Sequence, residues 1–143
     1  MKIASYILAI VFISSGLASA KLERALFEGH LKDEHYLIEF KFAPMPPFPN
    51  YPDAPKYWMI LSALDVQIGK QSIKVPKAAY KDLFAPHSPS DPFYDPHGNI
   101  RLPLKGGDGE KSYTVDFIFR NGRLIARDYY PHMSTKPITT HYQ

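Results

Sequence analysis

Prolines divide this chain into segments that can form regular structure and segments that cannot. Of the fourteen prolines, six lie within residues 44–55 and four lie within residues 86–96. Because each proline fixes φ and removes a backbone N–H donor, neither a helix nor a central strand can continue through such a stretch. We therefore predict two irregular segments, the first loop at residues 43–56 and the second loop at residues 85–99.

The first twenty residues (1–20) have the pattern of an export signal. An N-terminal lysine precedes an apolar run at residues 3–13, and Ala18 and Ala20 place small side chains three and one residues before a cut. The run is shorter than a bilayer crossing requires, so no stable membrane span should remain after cleavage. We predict a mature chain that begins at Lys21 and is periplasmic or secreted. An uncleaved membrane anchor is the alternative.

Composition limits how the mature chain can be stabilised and what it can bind. The length is suited to one domain, which we place at residues 21–130, followed by a C-terminal tail at 131–143. The chain has no cysteine, so burial of its aromatic and aliphatic side chains must replace disulfides. The basic residues are dispersed, which argues against a nucleic-acid partner or a polybasic membrane surface.

Alternating apolar residues predict a β-rich fold. The clearest run is at residues 34–42, and residues 24–31 are its predicted hairpin partner, with a short helix near residues 22–26 as the alternative. A second hairpin is predicted at residues 57–75 through Gly69-Lys70. A third is predicted at residues 113–130, because Asn121-Gly122 supplies the two positive φ angles that a type I′ turn needs.

Two prolines refine the predicted architecture. Pro76 suits the first turn of a helix, which we place at residues 76–85. Pro103 should confine the strand at residues 100–104 to an edge or a short end piece. The predicted class is α+β, predominantly β: a single, mainly antiparallel sheet of about five or six strands with one short helix packed on it.

The two loops carry the leading functional hypothesis, a binding surface. Each presents aromatic side chains on a stiff backbone, which loses little conformational entropy on docking. We predict an exported, non-enzymatic module that contacts a protein or a cell-envelope polymer, without a cofactor, through Phe48, Tyr51, Phe93 and Tyr94. The alternative is that these loops are rigid connectors whose aromatic rings complete the core.

The second loop also carries residue types that bind divalent metals. These are His87, Asp91, Asp95 and His97, and a metal-dependent hydrolase that uses them is the runner-up hypothesis. Their spacing matches no metal signature, and Asp-Pro pairs are common in turns. A solvated loop is therefore the competing interpretation.

Other motifs do not indicate catalysis. The glycine-rich segment at residues 105–112 lacks the glycine that a phosphate-binding loop places directly before its Lys-Ser, so we predict a flexible connection between two strands. The serines lie in no recognised nucleophile motif. A third hypothesis is a structural partner whose exposed strand edge near residues 100–104 pairs with another chain.

Part of the chain resembles a group of small bacterial β-rich proteins with no assigned function. The shared features are the pattern V-P-x-x-x-Y-x-D-L at residues 75–83, a G-G-D-G turn at residues 106–109 and the strand start at residues 112–115. The resemblance implies an arrangement of a strand, a proline-led helix, a glycine-rich turn and a final hairpin. It implies no function and no catalytic residue.

Overall fold

The computed structural model describes residues 9–10, 23–44 and 59–143, and it contains two antiparallel sheets. The first sheet has its strands in chain order: β1 (Ala9–Ile10), β2 (Glu23–Leu31), β3 (Glu34–Pro44), β4 (Met59–Ile68) and β5 (Gln71–Lys74). The second sheet consists of β6 (Pro86–Pro89), β7 (Phe93–Tyr94), β8 (Ile100–Gly106), β9 (Tyr113–Arg120), β10 (Arg123–Pro131) and β11 (Ile138–His141). Its order is β11, β10, β9, β8 and then β6, with β7 also paired to β8.

The three predicted hairpins are confirmed. Strand β2 pairs with β3 along its whole length, so the alternative of a short helix near residues 22–26 is wrong for the described residues 23–26. Strand β4 continues into β5 through the turn at Gly69, where φ is +56°. Asn121 and Gly122 have φ angles of +51° and +75°, as a type I′ turn requires, and they connect β9 to β10.

The prediction of a single sheet with a helix packed on it is wrong in both respects. The described strands form two sheets, and no helix of seven residues or more is present in the described part of the chain. The predicted helix at residues 76–85 is reduced to a 3-10 turn at Lys77–Ala79. Few residues separate Pro76 from Pro86, whereas isolated helices need about 12 or more residues to be stable in water.

The segment between the two sheets is held by burial instead of helical hydrogen bonding. Ala79, Tyr80 and Leu83 are buried in the core, and the Tyr80 hydroxyl donates to the Ser62 carbonyl at 3.2 Å. On the other side, Arg127 of β10 donates to the Ala79 carbonyl at 2.8 Å and pairs with Asp82. The segment therefore joins the two sheets through contacts to both.

One hydrophobic core lies between the two sheets. Buried residues of β3, β4 and β5 belong to the same cluster as buried residues of β8, β9 and β10. Phe40 of the first sheet and Phe117 of the second are fully buried within it. The alternation seen in the sequence thus corresponds to inward-facing side chains on two layers.

Three further expectations about the second sheet need correction. Residues 85–99, predicted to be irregular, contain the short strands β6 and β7, which pair with β8 only at their few residues. Strand β8 is not an edge: β9 lies on one side, and β6 and β7 lie on the other. Pro103 has no N–H to donate, but β6 and β7 pair with β8 on either side of it and not at Pro103 itself, so this proline is tolerated. The Pro103 carbonyl accepts a hydrogen bond from the Ser90 N–H at 2.9 Å. The segment predicted as a tail contains β11, which pairs with β10.

No helix in the described ranges is long and apolar enough to cross a membrane.

Candidate functional site

The second loop lies along β8 and is fixed there by backbone pairing. Pro86 pairs with Gly106 near one end of β8, and Phe93 and Tyr94 pair with Arg101 and Ile100 near the other. The strand edge that we expected to be exposed near residues 100–104 is therefore covered by this chain's own loop. The hypothesis of a partner strand at that edge is wrong.

Asp95 closes the turn that returns the loop to β8. Its Oδ1 accepts the backbone N–H groups of His97 and Asn99, each at 2.9 Å, and its Oδ2 accepts the Asn99 side-chain amide at 3.0 Å. Arg101 Nε donates to the same Oδ2 at 3.3 Å. Partial burial opposes ionisation of Asp95, but these hydrogen bonds prevail and lower its pKa to about 2. Asp95 therefore acts as a structural acceptor.

Arg101 stands among three carboxylates, and we term these four residues the Arg101 cluster. Besides Asp95, Arg101 contacts Asp128 at 2.9 Å and Asp116 at 3.4 Å, both through Nη1. Burial raises the pKa of Asp116, while the positive charge of Arg101 opposes that increase. Thr139 of β11 donates to the other oxygen of Asp128 at 2.7 Å. The cluster thus connects the turn of the second loop to β8, β9, β10 and β11.

The second loop also contacts the first sheet. The Tyr36 hydroxyl of β3 donates to Asp91 Oδ1 at 2.7 Å. Lys32, in the turn between β2 and β3, places its ammonium group 4.4 Å from the centre of the Tyr94 ring. That distance is within the range of a cation–π interaction. The loop is therefore held from both layers of the fold.

The predicted binding residues have different environments. Phe93 is 44% exposed, whereas Tyr94 is half-buried and packs against the core. Phe48 and Tyr51 lie outside the described residues. Within the described part of the predicted surface, Phe93 is thus the ring available for contact, and Tyr94 supports the loop beneath it.

The four predicted metal ligands are engaged separately. His87 Nε2 lies 3.0 Å from the Gly107 carbonyl oxygen, Asp91 contacts Tyr36, and Asp95 accepts the hydrogen bonds of its own turn. His97 donates its backbone N–H to Asp95 Oδ1 at 2.9 Å. Among the described residues, no group of three or more histidine, aspartate or glutamate side chains is arranged to hold a metal ion. The metal hypothesis receives no geometric support.

A cavity of about 440 Å³ lies beside the glycine-rich connection. His87, Lys105, Ser112, Tyr130 and His132 contribute to its walls. Ser112 Oγ and His132 Nδ1 are hydrogen-bonded at 2.7 Å, a contact that sequence reasoning missed because the two residues are twenty positions apart. His132 is exposed, and a hydrogen bond of this kind does not by itself activate a serine.

Comparisons with known proteins returned no match, whether to a protein family, to a curated protein or to a solved structure.

Proposed function

We propose that this chain is an exported, non-enzymatic binding module that contacts a protein or a polymer of the cell envelope through its proline-rich, aromatic loops. The observation that carries the proposal is the rigid presentation of Phe93. Strand pairing with β8, the closed turn at Asp95 and the bond from Tyr36 to Asp91 fix the loop, while the Phe93 ring remains 44% exposed.

A fixed, exposed aromatic ring is suited to binding for a thermodynamic reason. Ordering a mobile loop on association consumes part of the binding free energy, and a loop that is already ordered avoids that cost. Aromatic residues are frequent among the side chains that dominate binding energies. The first loop would add Phe48 and Tyr51 to the same contact surface.

The proposal is tested by the substitution Phe93→Ala, with Met133→Ala as the matched control. Both residues are exposed and apolar, at 44% and 89% respectively, but Met133 lies outside the two loops. The exported protein, immobilised, would be used to capture partners from an envelope extract, and cosedimentation with purified envelope polymer would identify a polymer ligand. We expect Phe93→Ala to weaken binding about tenfold or more.

Met133→Ala should leave binding unchanged. The combined replacement of Phe48, Tyr51 and Phe93 by alanine, with Tyr94→Phe to retain packing, should abolish it. Unchanged capture by this combined variant, with a native circular dichroism spectrum, would contradict the proposal.

A further inference from the structure

Strand β2 has the longest open edge among the described strands. It contains nine residues and pairs with β3 along its whole length. On its other side, the described neighbour is β1, which pairs only with Ala25 and Leu26. Most of the outer backbone of β2 therefore has no strand beside it within the described residues.

The other outer strands are protected in ways that β2 is not. Strands β5, β6 and β11 contain four residues each, and β6 begins and ends with proline. Short length and proline are devices that prevent edge-to-edge pairing. Strand β2 has no proline. Its residues Arg24 and Glu28 contact Glu39 at 2.6 Å and His35 at 3.3 Å on β3, and because their charges are opposite in sign they do not repel a second copy that is paired in the antiparallel direction.

The structure shows what kind of segment this edge accepts. Strand β1 pairs with β2 in the antiparallel direction, with Ala9 opposite Leu26 and Ile10 opposite Ala25. Both residues of β1 lie in the apolar part of the export signal, and cleavage after Ala20 would remove them. The backbone groups that β1 occupies would then be open to another antiparallel strand.

We infer that the exported chain forms a homodimer in which β2 pairs antiparallel with β2 of a second copy. The inference rests on the export step of the proposed function. The sequence of β2 is complementary to itself: a two-fold axis at Leu26 places Arg24 opposite Glu28 of the second copy, and Ala25 opposite Phe27 of the second copy. Each pairing occurs twice, so opposite charges face each other on one side of the sheet and a small residue faces a large one on the other.

The dimer would join the two copies of the first sheet into one continuous sheet. Phe27 already packs against the core and contacts Phe40 edge to face, with ring centres 5.5 Å apart. The small Ala25 side chain of the second copy leaves room for this ring at the new interface. An unrelated extended peptide would match the backbone hydrogen bonds but not this pattern of charge and size.

The test is sedimentation velocity of the exported protein over a range of concentrations. Intact mass first establishes whether the chain begins at Lys21. We expect a dimer, and we expect Arg24→Glu to raise the dimer dissociation constant roughly tenfold, since it replaces two attractive pairs by two repulsive ones. The double substitution Arg24→Glu with Glu28→Arg should restore dimerisation, and Lys70→Glu, at an exposed turn, is the control for net charge.

The outcomes separate the dimer from the proposed function. A chain that begins at Lys21 and sediments as a monomer would overturn the dimer while leaving the binding proposal intact. A dimer that responds equally to Arg24→Glu and to Lys70→Glu, or that the double substitution does not restore, would also overturn it. Retention of Met1 would contradict export, and the dimer with it.

Discussion

Replacement of Arg101 by methionine tests whether the Arg101 cluster holds the second sheet and its loop together. Methionine retains much of the side-chain length and removes the positive charge. The 2.9 Å contact with Asp128 is a short, charge-assisted hydrogen bond, whose loss typically costs about 1.5–3 kcal/mol. Asp95 keeps three other donors and Asp128 keeps Thr139, so neither carboxylate is left without a hydrogen bond.

Repulsion between carboxylates adds to this loss. Asp116 and Asp128 are direct cross-strand partners on β9 and β10, and like charges in that position destabilise a sheet. We therefore expect Arg101→Met to reduce the free energy of unfolding by about 2–4 kcal/mol at pH 7. Lys105→Met removes a positive charge from an exposed position on the same strand, and it should change stability by less than about 0.5 kcal/mol.

The pH dependence of this loss is a second measurement on the same variant. Burial raises the pKa of Asp116 and Arg101 opposes that increase, so removing Arg101 should raise this pKa further in the folded state. The folded variant then takes up a proton at a higher pH than the wild type does. Its stability deficit should become smaller between pH 7 and pH 4.

Urea unfolding at pH 7 and at pH 4, followed by near-ultraviolet circular dichroism, measures both effects. If Arg101→Met lowers the free energy of unfolding by less than about 1 kcal/mol at pH 7, or by the same amount at both pH values, the proposed role of the Arg101 cluster would be refuted.

Two further predictions concern the turns beside the cavity and the second loop. At Gly107, φ is +71° and a Cβ atom would overlap the Lys111 carbonyl oxygen, whereas at Gly109, φ is +53° and the space is open. Thermal unfolding should therefore show that Gly107→Ala lowers the free energy of unfolding by at least about 1 kcal/mol more than Gly109→Ala does. Equal losses would contradict the overlap. The pKa of the Asp95 carboxyl is about 2 in the folded protein, below its ordinary value of 3.8. The contribution of Asp95 to the free energy of unfolding is therefore complete above about pH 4 and is lost as the pH falls through 2. Unfolding measured from pH 5 to pH 2 should accordingly be less pH-dependent for Asp95→Asn than for the wild type, and parallel curves would argue against this role.

Local patterns in the sequence were sufficient to predict the three hairpins, but not the short strands β6, β7 and β11. Alternation at residues 34–42 requires one face to be buried, and Asn121-Gly122 imposes a turn through its own φ preferences. These signals act over a few residues, so they do not depend on the rest of the fold. The proline rule was less reliable: residues 85–99, predicted to be irregular, contain the short strands β6 and β7. Residues 45–56 of the first loop lie outside the described part of the chain.

Predictions that depended on distant residues were less successful. The segment at residues 76–85 has the apolar spacing of a helix, but the burial of Tyr80 and Leu83 between two sheets decided its conformation. Arg101 and Asp128 lie on polar faces of separate strands, and nothing in the sequence indicates that they meet. The contact between Ser112 and His132 was missed for the same reason.

The sequence by itself therefore determined the strands of the three hairpins and where those hairpins turn, because backbone dihedral preferences and the two-residue period of a strand are local properties. Only the tertiary structure decided that the strands divide into two sheets, that the second loop covers β8 and that its carboxylates form hydrogen bonds with the protein. Those outcomes depend on side chains brought together by burial, and burial free energy is a property of the whole fold.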